Sequence, residues 1–382
     1  MFAPPWSIEI CHSALKQLRN LNQFFVSNNN TILNYLVSSM RIETLTPQQL
    51  PLPDFFDPEK VPQVWRVPYQ ERAIQAQAWT QKYQIPKAPE DQQRVCLLLI
   101  DVQNTFCLPE FELFVGGKSG KGAIEDNQRL CEFIYRNLGT ITQIVATLDT
   151  HTVMQIFHPV FWINEEGEHP VPTATQITPE DLEKGIWRVN PVVVTNFGAD
   201  YQKLTKYACH YVNQLSKIGK YPLTVWPYHS MLGGIGHALV SAVEEALFFH
   251  NIARGSQTRY EIKGDNYLTE NYSVLQPEVL ANQDGEAIAR KNQALIKDLL
   301  AFDKIIVAGQ AKSHCLAWTV ADLLQEIQAV DPNLAQKVYL LEDCTSPVVV
   351  PGVVDYTADA DAAFAKFSQA GMHLIQSTDE IP

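Results

Sequence analysis

"RVCLLLIDVQ", residues 94–103, decides how the rest of the chain is read. Val95 to Ile100 run without a polar break and end on Asp101. A strand with one face in water alternates polar and apolar residues. An unbroken apolar run suits a strand buried on both faces of a parallel sheet. Asp101 would then stand at the carboxyl end of that strand, where open α/β sheets bind their ligands.

The segments that follow keep the rhythm of such a sheet. "AIEDNQRLCEFIYRNL" (123–138) has helical spacing and "ITQIVATLD" (141–149) reads as a second strand. Further on, helical stretches at 236–254, 286–302, 313–328 and 358–370 alternate with strand-like stretches. Those strands are "RYEIKG" (259–264), "KIIVAG" (304–309), "KVYLLED" (337–343) and "HLIQS" (373–377). The alternation predicts an α/β fold: a doubly wound three-layer (αβα) sandwich around a mainly parallel sheet of about six strands.

Two regions stand outside this rhythm. Residues 40–93 are rich in Pro and Gln around one helical stretch, 69–83, so 1–93 reads as an N-terminal arm on a domain spanning 94–382. Residues 1–39 differ again in composition. Either translation starts at Met40 and they are not part of the true protein, or "LKQLRNLNQFF" is an amphipathic helical arm; both readings stand. The second region is an insertion at about 160–222, of a length that marks lids and binding loops in compact domains. It carries Phe161, Trp162, Trp187, Phe197, Tyr201, Tyr207, Tyr211 and Tyr221. So many aromatic rings need a surface to cover. The insertion is expected to pack over the strand ends or to reach a neighbouring subunit.

Composition narrows the partners. A formal net charge of -13 argues against a nucleic-acid-binding face, which needs basic residues. No apolar run reaches the ~18 residues of a membrane span. The seven cysteines form no CxxC pair, so zinc-ribbon and thioredoxin readings fail. Scattered thiols and an N-terminus without a basic-then-apolar leader lead to the expectation of a cytoplasmic protein.

The predicted strand ends collect reactive groups: Asp101, then Asp149 with His151, then Lys263, then Cys315. Singly each has a structural reading. A cysteine in an apolar helix is commonly core, an aspartate after a strand commonly caps a turn, and a lysine before glycine commonly faces solvent. The weight comes from their meeting at topologically equivalent positions.

"LLLIDVQNTF", "LDTH", "WPYH", "YEIKG" and "VAGQAKSHC" together resemble the nicotinamidase and isochorismatase-like cysteine hydrolase superfamily, most of all its metal-containing nicotinamidases. The resemblance covers roughly residues 94–376, apart from the insertion. It implies a catalytic triad of Asp101, Lys263 and Cys315, with the backbone N–H groups of Ala311 and Cys315 as oxyanion hole and a cis peptide at Gln310–Ala311. Lys263 and the helix N-terminus are expected to lower the Cys315 pKa. The resemblance also implies a divalent metal (Zn, Fe or Mn) on Asp149, His151 and His229, and no organic cofactor. His158 is either a fourth ligand or a loop histidine. Phe106 and Trp226 match positions that sandwich a flat substrate, and Tyr272 is a further candidate for the pocket. His314 is expected to contribute backbone only, and His237 and His250 to lie on one helix face.

The implied activity is hydrolysis of a carboxamide C–N bond through an acyl-thioester, releasing ammonia. Nicotinamide is the first candidate for the small-molecule substrate, and a homo-oligomer is expected. Isochorismatase activity is disfavoured, because relatives with it lack the cysteine. A hydrolase of another amide, ureido or carbamoyl compound, and a non-catalytic metal-binding scaffold, remain as alternatives.

Overall fold

The computed structural model describes residues 49–198, 200–218 and 221–381. The expectations for residues 1–48 and for the Phe197 side chain lie outside the described residues.

Six parallel strands form the central sheet: β1 (Val95–Ile100), β2 (Gln143–Asp149), β3 (Arg259–Lys263), β4 (Lys304–Gly309), β5 (Val338–Leu341) and β6 (His373–Ile375). Their order across the sheet is β6-β5-β4-β1-β2-β3. β1 sits in the middle, with Cys96 opposite Gln143 on one side and Val95 opposite Lys304 on the other. Its unbroken apolar run has a simple cause. Val95, Leu97 and Leu99 face one core, while Cys96, Leu98 and Ile100 face the other. Neither face meets water, so neither can be polar.

The first core is closed by the helices α1 (Tyr69–Tyr83), α2 (Gly122–Arg136) and α4 (Ser241–Arg254), through Ala76, Leu130, Phe133, Val243 and Leu247. The second is closed by α5 (Gln293–Leu300), α6 (Cys315–Val330) and α7 (Thr357–Gln369), through Leu295, Leu316, Val320, Leu323 and Phe364. Full burial of each of these Leu, Val and Phe side chains contributes about 1.5–3 kcal/mol. The predicted three-layer sandwich is therefore present. Residues 49–93 lie against it: Thr80 Oγ1 donates to the Ala253 carbonyl at 3.0 Å, and Arg72 Nε meets Glu245 at 2.7 Å.

Two helices start later than their apolar spacing predicts. The helix expected from 236 begins at Ser241, because Ala238 and Val240 pair with the backbone after β1. His237 therefore lies in the preceding loop and off the helix, a correction, while buried His250 is on α4. The helix expected from 286 begins at Gln293, where the Asn292 side chain caps the Leu295 N–H. Upstream, Asn282 accepts from the Asp284 and Glu286 N–H groups in a turn, which diverts the chain from helix.

The insertion has a core of its own. Its longest element is α3 (Tyr201–Ile218), whose Leu204, Tyr207, Ala208, Tyr211, Val212 and Leu215 share one stripe. They pack with buried Phe161, Trp162, Ile177, Val189 and Leu223. Phe157, Val225 and Val279, from outside the insertion, complete the cluster that buries these rings. No helix among the described residues is long and apolar enough to cross a membrane.

Candidate active site

The strand order reverses direction between β1 and β4, since β1 continues to β2 and β3 on one side and β4 to β5 and β6 on the other. The loops leaving those two strands diverge and open a crevice at the carboxyl edge. β1 delivers Asp101 and β4 delivers the loop to Cys315. Gly309 ends β4 at φ +116, and a Cβ there would lie 2.1 Å from the Ile100 carbonyl oxygen. Only glycine lets the two loops leave side by side.

Asp101 is fully buried with φ +48, a left-handed conformation that costs a non-glycine residue about 1–3 kcal/mol. Thr147 of β2 fixes it: the Asp101 N–H donates to Thr147 Oγ1 at 3.0 Å, and the Thr147 hydroxyl donates to Asp101 Oδ1. Lys263, at the end of β3, is the hub. Its Nζ lies 2.9 Å from Asp101 Oδ2, 2.8 Å from Asp149 Oδ1, 2.9 Å from the Asn271 carbonyl and 3.6 Å from Cys315 Sγ. The structure thus brings together Asp101, Lys263 and Cys315.

Burial disfavours the Lys263 ammonium, but Asp101 and Asp149 outweigh it and hold its pKa well above the ordinary value. Burial pushes Asp101 up, against the pull of Lys263. At Cys315 the lowering pull of Lys263 is present, as expected, but does not dominate. Burial pushes its thiol well above the usual range, Lys263 only opposes this, and Asp101 and Asp149 add to the rise. Burial and the two carboxylates thus raise the thiol pKa, and the Lys263 ammonium is the group that opposes them.

Asp149, His151 and His229 each offer a ligand atom, all within 4.8 Å of one another. His151 Nδ1 donates to the Gly264 carbonyl at 3.0 Å and His229 Nδ1 to the Pro227 carbonyl at 2.7 Å. A carbonyl only accepts, so in the neutral rings Nδ1 carries the proton and Nε2 keeps a lone pair. The Nε2 atoms face Asp149 Oδ2 at 2.7 Å from His151 and 3.4 Å from His229. Two imidazole nitrogens and a carboxylate oxygen converging in a buried site are a donor set that fits a divalent metal. Gly264, at φ +81, is part of the fit: a Cβ there would lie 2.6 Å from His151 Cε1.

His158 repeats the pattern at longer range. Its Nδ1 donates to the Val153 carbonyl at 3.0 Å, and its buried Nε2 has no hydrogen-bond partner. Burial pushes the ring down to about 3, so it stays neutral. Its centroid is 5.8 Å from that of His151 and 5.9 Å from that of His229.

The three residues expected to bind substrate lie near the two clusters, Tyr272 and Trp226 both edge-on to His314. Phe106 is edge-on to His229 at 5.8 Å, and Trp226 Nε1 donates to Tyr272 Oη at 3.2 Å. Cys315 opens α6, and the Gln310–Ala311 peptide is cis. His314 does more than lend backbone: its ring is stacked on Tyr221 at 4.7 Å, and the Tyr221 hydroxyl donates to the Ser313 carbonyl at 2.9 Å. The end of the insertion is therefore fastened to the cysteine loop. Sequence reasoning missed Gln103, which clamps Asp149 by donating to its carbonyl at 2.9 Å and accepting its N–H at 2.8 Å. Its place two residues after Asp101 was the available signal. Thr147 and the Asn271 carbonyl gave none.

No protein-family model matches this chain, and no curated protein matches it. Among solved structures it is similar to a nicotinamidase–pyrazinamidase of Acinetobacter baumanii, at 17% identity and a TM-score of 0.45, over 76% of this chain and 100% of that one. It is also similar to the yeast nicotinamidase Pnc1p, at 17% and 0.45, over 74% of this chain and 99% of that one. The pyrazinamidase of Pyrococcus horikoshii in complex with zinc is similar at 15% and 0.39, over 74% of this chain and 99% of that one.

Proposed function

We propose that this chain is a metal-containing cysteine amidohydrolase that cleaves a carboxamide C–N bond and releases ammonia, with nicotinamide the first candidate substrate. The observation that carries the reading is the placement of Lys263 Nζ among Asp101, Asp149 and Cys315 Sγ, all at the carboxyl edge of one parallel sheet.

In this reading Asp101 takes the Cys315 thiol proton as sulfur attacks the substrate carbonyl carbon. Lys263 stabilises the negative charge while it resides on sulfur. A C–S bond forms, and the carbonyl oxygen, now an anion, accepts from the N–H groups of Ala311 and Cys315. Collapse breaks the C–N bond. Asp101 returns its proton to the departing nitrogen, which leaves as ammonia and an acyl-thioester behind. Water, deprotonated by Asp101, then attacks the thioester; the C–S bond breaks and the proton returns to sulfur. Asp149, His151 and His229, with His158 as a further ligand, would hold a divalent metal. When bound it supplies a Lewis-acidic anchor for a ring nitrogen or water. Phe106 and Trp226 hold the flat acyl group, and Tyr272 sets the Trp226 indole.

The test is ammonia release across a panel of amides that includes nicotinamide and ureido compounds, with and without added divalent metal. Turnover by the wild type and none by Cys315→Ala supports the reading. No turnover on any member, with a Cys315 thiol alkylated no faster than a free peptide cysteine, favours the metal-binding scaffold.

A further inference from the structure

Behind the loop that carries Cys315 lies a buried polar network that the proposed chemistry does not use. Asp126, on α2, is 3% exposed and Gln310, the first residue after β4, is 1% exposed. The Gln310 side chain donates from Nε2 to Asp126 Oδ2 at 2.8 Å and accepts the Ser346 N–H on Oε1 at 3.3 Å. Asp126 Oδ1 accepts from Arg129 at 2.9 Å. The same loop is fastened by its main chain: Gln310 N–H donates to the Ile100 carbonyl and Lys312 N–H to the Ser346 carbonyl, each at 2.8 Å. Both flanks of Ala311 are thus tied down. Among the described residues, no protein acceptor takes the Ala311 N–H or the Cys315 N–H.

A carboxylate and an amide buried at this depth are costly to desolvate, and an apolar pair of similar volume would pack there at no such cost. Packing therefore does not account for the pair. What it supplies is direction, because a charge-assisted hydrogen bond holds Gln310 in one rotamer and the adjoining peptide with it. On the amidohydrolase reading above, we propose that Asp126 is a positioning residue: through Gln310 it aims the Ala311 N–H at the substrate's carbonyl oxygen. An aimed donor acts on the charge that develops in the transition state rather than on the bound amide.

The experiment compares wild type, Asp126→Asn and the double variant Asp126→Leu/Gln310→Leu on the amide that the wild type turns over best. The asparagine has one acceptor oxygen where Gln310 and Arg129 now use two. The double variant replaces the polar pair with an apolar one and keeps the fold testable if the single variant does not fold. Both are expected to lower kcat roughly 10- to 100-fold, a fraction of the loss seen on deleting an oxyanion donor, with KM changed less than about threefold. The alkylation rate of Cys315 by iodoacetamide, followed on its own peptide by mass spectrometry, should stay at the wild-type value, because the thiol and Lys263 are untouched. A folded double variant with wild-type kcat overturns the inference. So does a fall in kcat matched by a fall in alkylation rate, which would place the damage at the thiol. If the wild type releases no ammonia from any amide, the amidohydrolase reading itself falls, a result visible before any variant is compared.

Discussion

Lys263 Nζ lies 2.8 Å from Asp149 Oδ1, while Asp149 Oδ2 lies 2.7 Å from His151 Nε2. One buried carboxylate thus joins the cysteine site to the three-ligand cluster, an oxygen to each. Anything that alters charge in the cluster reaches the ammonium that faces the thiol, and chemistry and metal occupancy should respond together.

This coupling gives the first prediction. Asp149→Asn, His151→Ala and His229→Ala should each purify with less than stoichiometric divalent metal, measured by elemental analysis. His158→Ala should retain metal but release it to a chelator sooner, in line with its longer reach. Stoichiometric metal in all three of the first set would show the cluster to be something other than a metal site.

Cys315→Ala should leave the fold intact, since the smaller side chain fits the same volume, and lower turnover by roughly 10⁴-fold or more, as expected of a lost nucleophile. Lys263→Met removes the cation that most strongly opposes the rise of the thiol pKa. Without it the thiol is harder to ionise, so the alkylation rate of Cys315 should move to higher pH. An unmoved profile would separate Lys263 from the thiol's electrostatics.

These groups show where the sequence was readable. Asp101 and Cys315 follow strands whose apolar runs are unmistakable, Lys263 ends the short alternating strand RYEIK, and strand ends in a parallel sheet meet on one edge. Asp149 and His151 stood at a strand end, but the ligand set of Asp149, His151 and His229 was implied only by the family resemblance. Less legible was whatever depends on a balance of terms. The Cys315 pKa is set by burial more than by the neighbouring ammonium, and burial cannot be read from "SHCLAW". Helix starts at Ser241 and Gln293 were misjudged for a similar reason. Local pairing and an Asn292 cap competed with apolar periodicity and won. Aromatic density in 160–222 shows that the insertion must cover a surface, but not that much of the surface lies within its own helix α3.

Stability should depend on pH through His250. It is fully buried, its Nε2 donates to the Ile141 carbonyl at 2.9 Å, and burial pushes it from 6.5 down to about 4. The unfolded chain binds a proton below pH 6.5 that the folded chain refuses until about pH 4. Stability is therefore full above the unfolded value and falls with pH across that window, by about 3 kcal/mol for one such group. His250→Gln keeps a donor and cannot titrate. Its deficit against wild type in urea unfolding should be largest at pH 7.5 and shrink by pH 4.5. A deficit constant over that range would show that His250 is not responsible.

The last prediction concerns how the insertion acts on the site. Tyr207 Oη donates to the Leu268 carbonyl at 2.8 Å, and Tyr211 Oη accepts the Glu270 N–H at 3.0 Å. The next residue, Asn271, presents its carbonyl to Lys263 Nζ at 2.9 Å. The helix α3 thus braces the loop that supplies one of the contacts of Lys263. Tyr211→Phe keeps the ring in its core and removes only the acceptor, leaving a buried N–H unsatisfied at a cost of roughly 1–3 kcal/mol. If α3 is a brace, this variant should lose stability of that order and also lower kcat, while the amide preference across the panel stays unchanged. If the insertion is instead a lid that chooses substrates, the preference should shift with kcat for the best amide held. Replacing residues 165–215 by a Gly/Ser linker extends the comparison. The insertion's buried core and its bonds to Leu268 and Glu270 lead us to expect loss of both stability and turnover from that replacement. Preserved kinetics with a lowered unfolding midpoint would reduce the insertion to a stabilising appendage.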